Sequence, residues 1–283
     1  MADLLGKEIS QKIKEEVHQT LLTHYSQGKR RAKMTVLLVG NDEGSRTYVA
    51  SMEKVMAKMD IDFSFIPMEE CCSEDEVLRV IDSLNEDESV DGIFIQVPLP
   101  RHITTQKVVE RITPHKDIDG LHPFNLGRIM IGQEAYVPCT PKGVHYLLKS
   151  CCSELSGKRA VVIGRSISVG KPMVFLLERE NMTVTLCHSR TQNMKEIASQ
   201  ADVLVVAIGK AEYIDASYVK EGAIVIDVGI NRNESGKLVG DVDYNSVKDI
   251  ASYITPVPGG VGSMTTAMLV KNILQAYELH VGR

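Results

Sequence analysis

No apolar run in this 283-residue chain reaches the roughly 20 residues needed to span a bilayer. The opening "MADLLGKEIS" also lacks the basic start and apolar core of an export signal. A cytosolic protein with no membrane partner is therefore expected. Positive charge is in short supply: the formal net charge is -5 and the pI about 5.9. Nothing in that balance attracts phosphate backbones, which argues against nucleic acid. The six cysteines include two adjacent pairs, Cys71–Cys72 and Cys151–Cys152, but no CxxC and no zinc-type spacing. They read as free thiols, and no metal site is expected. Repeats and low-complexity linkers are missing as well.

What is present is an ordinary globular composition, 43% hydrophobic and 24% charged, over a length greater than one core usually supports, so two domains are expected. Leu5, Ile9, Ile13, Val17 and Leu21 recur every four residues and predict a first amphipathic helix. "TVLLVG", "IDFSFIPM" and "GIFIQV" read as strands, separated by a helix starting near Ser45 and by one that Ser73 and Glu76 would cap as a box. An irregular stretch runs from Pro98 to Val137, and then Thr140 is the expected N-cap and Pro141 the first-turn proline of another helix. A second alternation comprises "RAVVIG", "TVTLC", "DVLVVAIG" and "AIVIDVG", with helices after Gly170 and near Met194. An apolar helix from about Met264 to Leu279 closes the chain. Strands alternating with helices predict an α/β protein with parallel sheets. The expected division is 1–140, rejoined by the helix 264–283, and 141–263 as a Rossmann-like unit.

The turn from Gly164 to Gly170 sits between a strand and a helix, where glycines let backbone amides approach a pyrophosphate. It is not GxGxxG, and a plain tight turn fits equally well. The next strand ends in "HSRT", His188 to Thr191, with no carboxylate where NAD enzymes usually place one against the ribose hydroxyls. Arg165, Ser189 and Arg190 would instead suit a 2′-phosphate, which points to NADP. Gly229 and Ile230, after a later strand, would border the nicotinamide.

In the first half, Gln96 ends a buried strand, at the edge where open α/β sheets bind ligands. Asp117 and Asp119 in "KDIDG" are otherwise ordinary turn acids. The loop "PVPGGVGSMT" places three glycines before the last helix, a pattern that lets a ligand come close.

The runs "SRTYVAS", "DGIFIQVPLP", "HKDIDGLHP", "VPCTPKG", "VVIGRSISVGKP", "HSRT", "IVIDVGIN", "GDVDY" and "ITPVPGGVG" together closely resemble the methylenetetrahydrofolate dehydrogenase/methenyltetrahydrofolate cyclohydrolase family, in family order and over nearly the whole chain. The resemblance implies an N-terminal catalytic domain, a Rossmann-like NADP domain, a folate cleft between them and a cytosolic homodimer acting on tetrahydrofolate derivatives. It carries the family's motif tyrosine onto Tyr48, its active-site glutamine onto Gln96 and its folate-binding aspartate onto Asp119. Ser45, which opens the same run as Tyr48, and the loop Pro258, Gly259, Gly260, Val261 and Gly262 are the further substrate-side positions. Gly164, Arg165, Ser166, Ser189 and Ile230 match the nucleotide contacts.

Two positions depart from the pattern: Ser263 replaces a usual proline, and Met52 stands where the family has a catalytic lysine. Hydride transfer moves no proton, but hydrolysis of the product does, and a positioned acid/base typically contributes ~10²–10⁴-fold. Methionine cannot supply it. A cleft-facing Met52 beside solvent is expected, together with a dehydrogenase of weak or lost cyclohydrolase activity. A non-catalytic folate- or nucleotide-binding protein and an unrelated shikimate-type dehydrogenase are the alternatives.

Overall fold

A computed structural model describes residues 2–282. The strands are Ala2–Asp3 (β1), Lys33–Val39 (β2), Asp62–Met68 (β3), Gly92–Gln96 (β4), Arg159–Ile163 (β5), Thr183–Cys187 (β6), Val203–Val206 (β7), Ile224–Asp227 (β8), Asn231–Arg232 (β9), Leu238–Val239 (β10) and Tyr253–Ile254 (β11). Contacts divide the chain into two compact units. Unit one holds residues up to Gln11, Ile129–Glu134 and Pro138–Met268; unit two holds Lys12–Arg128, Ala135–Val137 and residues from Leu269 onward.

Unit one is built on a sheet of order β1-β11-β8-β7-β5-β6, parallel at every pairing. Apolar residues fill it, with Val161, Ile163, Leu204, Val206 and Val225 in one cluster, as strands covered on both faces require. The pair β9 and β10 forms a separate antiparallel hairpin.

Unit two carries a parallel sheet of order β3-β2-β4. Its helix Glu43–Lys58 is capped by Asp42, which accepts from the Ser45 amide. The helix Glu74–Glu86 has both halves of the Ser73/Glu76 capping box, so the sequence signal there is met in full. Leu37, Val39, Ile93 and Ile95 of the sheet pack against Val77 and Ile81 of that helix to form the core.

The main change of unit falls at Pro138, near the expected cut at residue 140, with residues from Leu269 onward in unit two. Ala2 and Asp3 pair with Tyr253 and Ile254, which draws the N-terminus into unit one. At the other end, buried Asn272 donates to the Ile118 carbonyl at 2.8 Å and Tyr277 to that of Arg30 at 2.8 Å, tying the end of the last helix to unit two. Other expectations also need correction. Leu5 lies before the first helix, Gly6–Ser26, and is 47% exposed, while Ile13, Val17 and Leu21 form its buried stripe. The stretch from Pro98 to Val137 is not wholly irregular, for it contains the helices Thr105–Arg111 and Pro123–Met130. Thr140 is inside the helix Cys139–Cys151, whose N-cap is Pro138.

Candidate active and cofactor-binding site

In the order β6-β5-β7 the chain leaves β5 to one side and returns on the other, so a switch point lies at the carboxyl ends of β5 and β7. Ligands of open α/β sheets bind at such points. A cavity of about 240 Å³ opens there, floored by Gly164 after β5 and by Ala207 and Ile208 after β7, with Arg165, Ser189, Lys210 and Tyr213 among its lining. No carboxylate is among the lining residues.

The turn at the cavity floor can close only with no side chain at its two ends, Gly164 and Gly170. Gly164 has φ +125°, and a Cβ there would meet the Ala207 carbonyl oxygen at 2.1 Å; one at Gly170 would meet the Gly164 oxygen at 1.9 Å. Ser166 turns its hydroxyl inward to accept from the amides of Val169 (3.1 Å) and Gly170 (3.3 Å). Arg190 is exposed, donates its amide to His188 Nδ1 at 3.1 Å, and is not among the lining residues, nor are Ser166 and Ile230. Ile230 is 65% exposed, and a Cβ added at Gly262 would lie 3.7 Å from its Cδ1. The structure therefore brings Ile230 beside the glycine loop.

Behind the cavity stand two acids, in the runs "IVIDVGIN" and "GDVDY", with no role expected from sequence. Fully buried Asp241 accepts from the amides of Ile208 (2.6 Å), Gly209 (3.0 Å) and Lys210 (2.8 Å) and from Asn231 Nδ2 (2.9 Å). Asp227 accepts from the amides of Gly229, Asp241 and Val242, each at 2.9 Å. This lattice fixes the loop after β7 to the one after β8. Burial pushes the Asp227 carboxyl up to about 6, against the pull of those amides. Two glycines let the acids come close: a Cβ at Gly240 would lie 1.8 Å from Asp227 Oδ2, and one at Gly229 2.3 Å from Asp241 Cγ.

The remaining expected residues lie in unit two and in the glycine loop of unit one. Tyr48 is half-buried on the helix Glu43–Lys58. Met52 is 0% exposed, on a stripe with Ser45, Val49 and Met56, the three- and four-residue spacing of a packed helix face. The expectation of a solvent-adjacent Met52 is overturned: the thioether is core. Gln96, at the end of β4, donates Nε2 to the Val97 carbonyl at 3.0 Å, while its Oε1 is enclosed without a partner. Such an unmet buried acceptor costs roughly 1–3 kcal/mol, so the position calls for a donor.

The two acids of "KDIDG" separate clearly. Asp117 is 2% exposed and accepts from the amides of Leu121 and His122 and from Asn125 Nδ2, holding the approach to the helix Pro123–Met130. Burial raises its pKa. Asp119 is half-buried, and the adjacent Ile118 carbonyl is pinned by Asn272. In the glycine loop Gly259 has φ +115°, and a Cβ at Gly260 would meet Thr255 Cβ at 2.7 Å. The last helix, Val261–Val281, starts within this loop. Ser263 lies in the first turn of that helix.

A two-unit α/β protein with a dinucleotide-type cavity at the switch point of its larger sheet is the class these features define. Residues 138–281 match the NAD(P)-binding domain of the tetrahydrofolate dehydrogenase/cyclohydrolase family, and residues 4–119 match its catalytic domain. The chain belongs to that family. It is 50% identical over 276 residues to the bifunctional protein FolD of Acetivibrio thermocellus, covering 98% of this chain and 96% of that one. The fold of the bifunctional FolD methylenetetrahydrofolate dehydrogenase/cyclohydrolase from Campylobacter jejuni superposes with a TM-score of 0.96 at 44% identity, covering 99% of each chain. The Trypanosoma brucei dehydrogenase-cyclohydrolase, solved with NADP and an inhibitor, gives 0.94 at 33% identity, covering 100% of this chain and 99% of that one.

Proposed function

We propose that this protein oxidises methylenetetrahydrofolate to methenyltetrahydrofolate with NADP, and that its hydrolysis of that product to formyltetrahydrofolate is weak or absent. The first half is carried by the switch-point cavity, which pairs a turn closed at Gly164 and Gly170 with Arg165 and Ser189 and has no lining carboxylate. A carboxylate would favour the free ribose hydroxyls of NAD; its absence beside a guanidinium favours a 2′-phosphate. NADP, when bound, supplies the hydride acceptor. The turn leading into the helix Gly170–Arg179 approaches the pyrophosphate, and Gly229 and Ile230 border the nicotinamide.

On the folate side Asp119 offers two acceptors to the adjacent ring N–H and amino donors of the pterin. Gln96 uses its unpaired Oε1 near the reacting carbon, and Tyr48 orients the pterin or a water. Ser45 and the loop Pro258–Gly262 complete the substrate contacts. Oxidation then requires alignment alone, because the resulting cation is shared between two ring nitrogens and no proton leaves. Hydrolysis requires a group that takes and returns a proton, and the buried thioether of Met52 does neither. Tetrahydrofolate derivatives as substrates, a cytosolic location and a homodimer complete this reading.

The test is one cuvette followed at two wavelengths. NADPH and methenyltetrahydrofolate should rise together, with the methenyl signal persisting after cofactor reduction stops. Rapid decay of that signal would overturn the hydrolysis claim. Tight folate binding with no NADP reduction would instead make the protein a non-catalytic binder.

A further inference from the structure

Resting on the NADP reading above, we propose that Lys210 is a second selectivity-determining cation of the cofactor cavity and takes the place beside the 2′-phosphate that sequence alone gives to Arg190. The cavity lining contains one arginine and one lysine, Arg165 and Lys210, and excludes Arg190. Arg165 follows β5 and Lys210 follows β7, the neighbouring strand, so the two approach the pocket from different loops. A phosphomonoester carries close to two negative charges at neutral pH, and one guanidinium leaves about half of that charge unmatched.

Lys210 is also better anchored than an ordinary surface lysine. Its amide and those of Ile208 and Gly209 all bind the buried carboxylate of Asp241, which fixes where the side chain starts. Its ammonium rests 4.9 Å from the centroid of the Tyr213 ring, an attraction that limits the rotamers lost when a ligand arrives. Tyr213 lines the same cavity and is 45% exposed. Together they present a compact charge of the kind that lysine offers to phosphate.

The experiment measures equilibrium binding to the whole protein of adenosine 2′,5′-bisphosphate and of adenosine 5′-monophosphate, fragments that differ only in the 2′-phosphate. In Lys210→Gln, affinity for the bisphosphate should fall about fivefold, the effect of a solvent-exposed charge pair, and that for the monophosphate less than twofold. Lys210→Arg should retain the preference. Equal losses for both fragments, or an unchanged bisphosphate affinity, would overturn the role of Lys210 while leaving the NADP reading intact. A wild-type protein that binds both fragments equally would instead remove the NADP reading, and this proposal with it.

Discussion

Around β5 the strands run β6-β5-β7, and around β2 they run β3-β2-β4; each time the chain steps out from the central strand and then reverses across it. The segments that leave these two strands are nevertheless unlike. After β5 comes a turn whose end positions, Gly164 and Gly170, have no room for a Cβ, opening on a cavity whose rim is tied to a buried carboxylate. After β2 comes a helix whose inner stripe is Ser45, Val49, Met52 and Met56. The first end gathers its lining residues from several loops, among them Gly164, Arg165, Ser189 and Lys210. Proton chemistry at the second end would rest on one side chain, and an apolar residue of similar length packs in its place without disturbing the fold. On the function proposed above, the chain keeps its cofactor site and loses a reaction.

The largest expected effect tests that contrast directly. Met52→Lys should raise methenyltetrahydrofolate hydrolysis by ~10²-fold or more while changing NADP reduction much less. Because the position is fully buried, the amine must shed its charge or disrupt the packing, so stability should drop by about 3 kcal/mol or more. Chemical denaturation and the two-wavelength assay read the two effects separately. A variant as stable as the parent would show that the side chain swings out to water, and one that folds without gaining hydrolysis would place the proton chemistry elsewhere.

At the other sheet, Gly170→Ala forces a Cβ to 1.9 Å from the Gly164 oxygen. Backbone must move, at a cost of about 3 kcal/mol, and binding of adenosine 2′,5′-bisphosphate should weaken with it. Unchanged binding would mean that the turn does not form part of the cofactor site.

The Asp227 lattice gives a pH signature. Its carboxyl is raised from 3.8 to about 6, so the folded state holds this proton more tightly than the unfolded chain does. The stabilisation is complete below about pH 4, declines as pH rises through about 6 and is flat above, with an amplitude of about 2–3 kcal/mol. Subtracting the denaturation profile of Asp227→Asn from that of the parent should isolate this slope. A flat difference would show that the amides hold the group ionised throughout.

Asp119→Asn should raise the folate KM about tenfold, the cost of roughly 1–3 kcal/mol for an amide facing a donor, with the cofactor KM unchanged. Loss of neither folate KM nor kcat would return Asp119 to the status of a turn residue. The smallest effect expected is at exposed Arg165: Arg165→Gln should weaken NADP about fivefold and NAD hardly at all, solvent screening keeping the gain modest. Equal weakening of both cofactors would separate Arg165 from the 2′-phosphate.

Most elements are legible in the sequence because their signals are local. The Ser73/Glu76 box needs residues three apart, and the buried strands of both sheets are apolar on both faces, as continuous runs announce. The short helices Thr105–Arg111 and Pro123–Met130 are not, because seven or eight residues give little periodicity. Leu5 shares the four-residue repeat of the first helix yet lies outside it, since such a repeat cannot show where a helix begins.

The candidate site divides along the same line. Sequence determined the glycine turn, the missing acid in "HSRT" and the substitution at Met52, since each is a property of residue type in order along the chain. Tertiary structure alone decided that Met52 is core, that Asp117 holds a helix while Asp119 stays half-buried, that Lys210 and not Arg190 lines the cavity, and that Asp227 and Asp241 brace it from behind. These outcomes depend on which groups meet across loops distant in sequence and on how much water remains around them, and neither quantity is written in the order of residues.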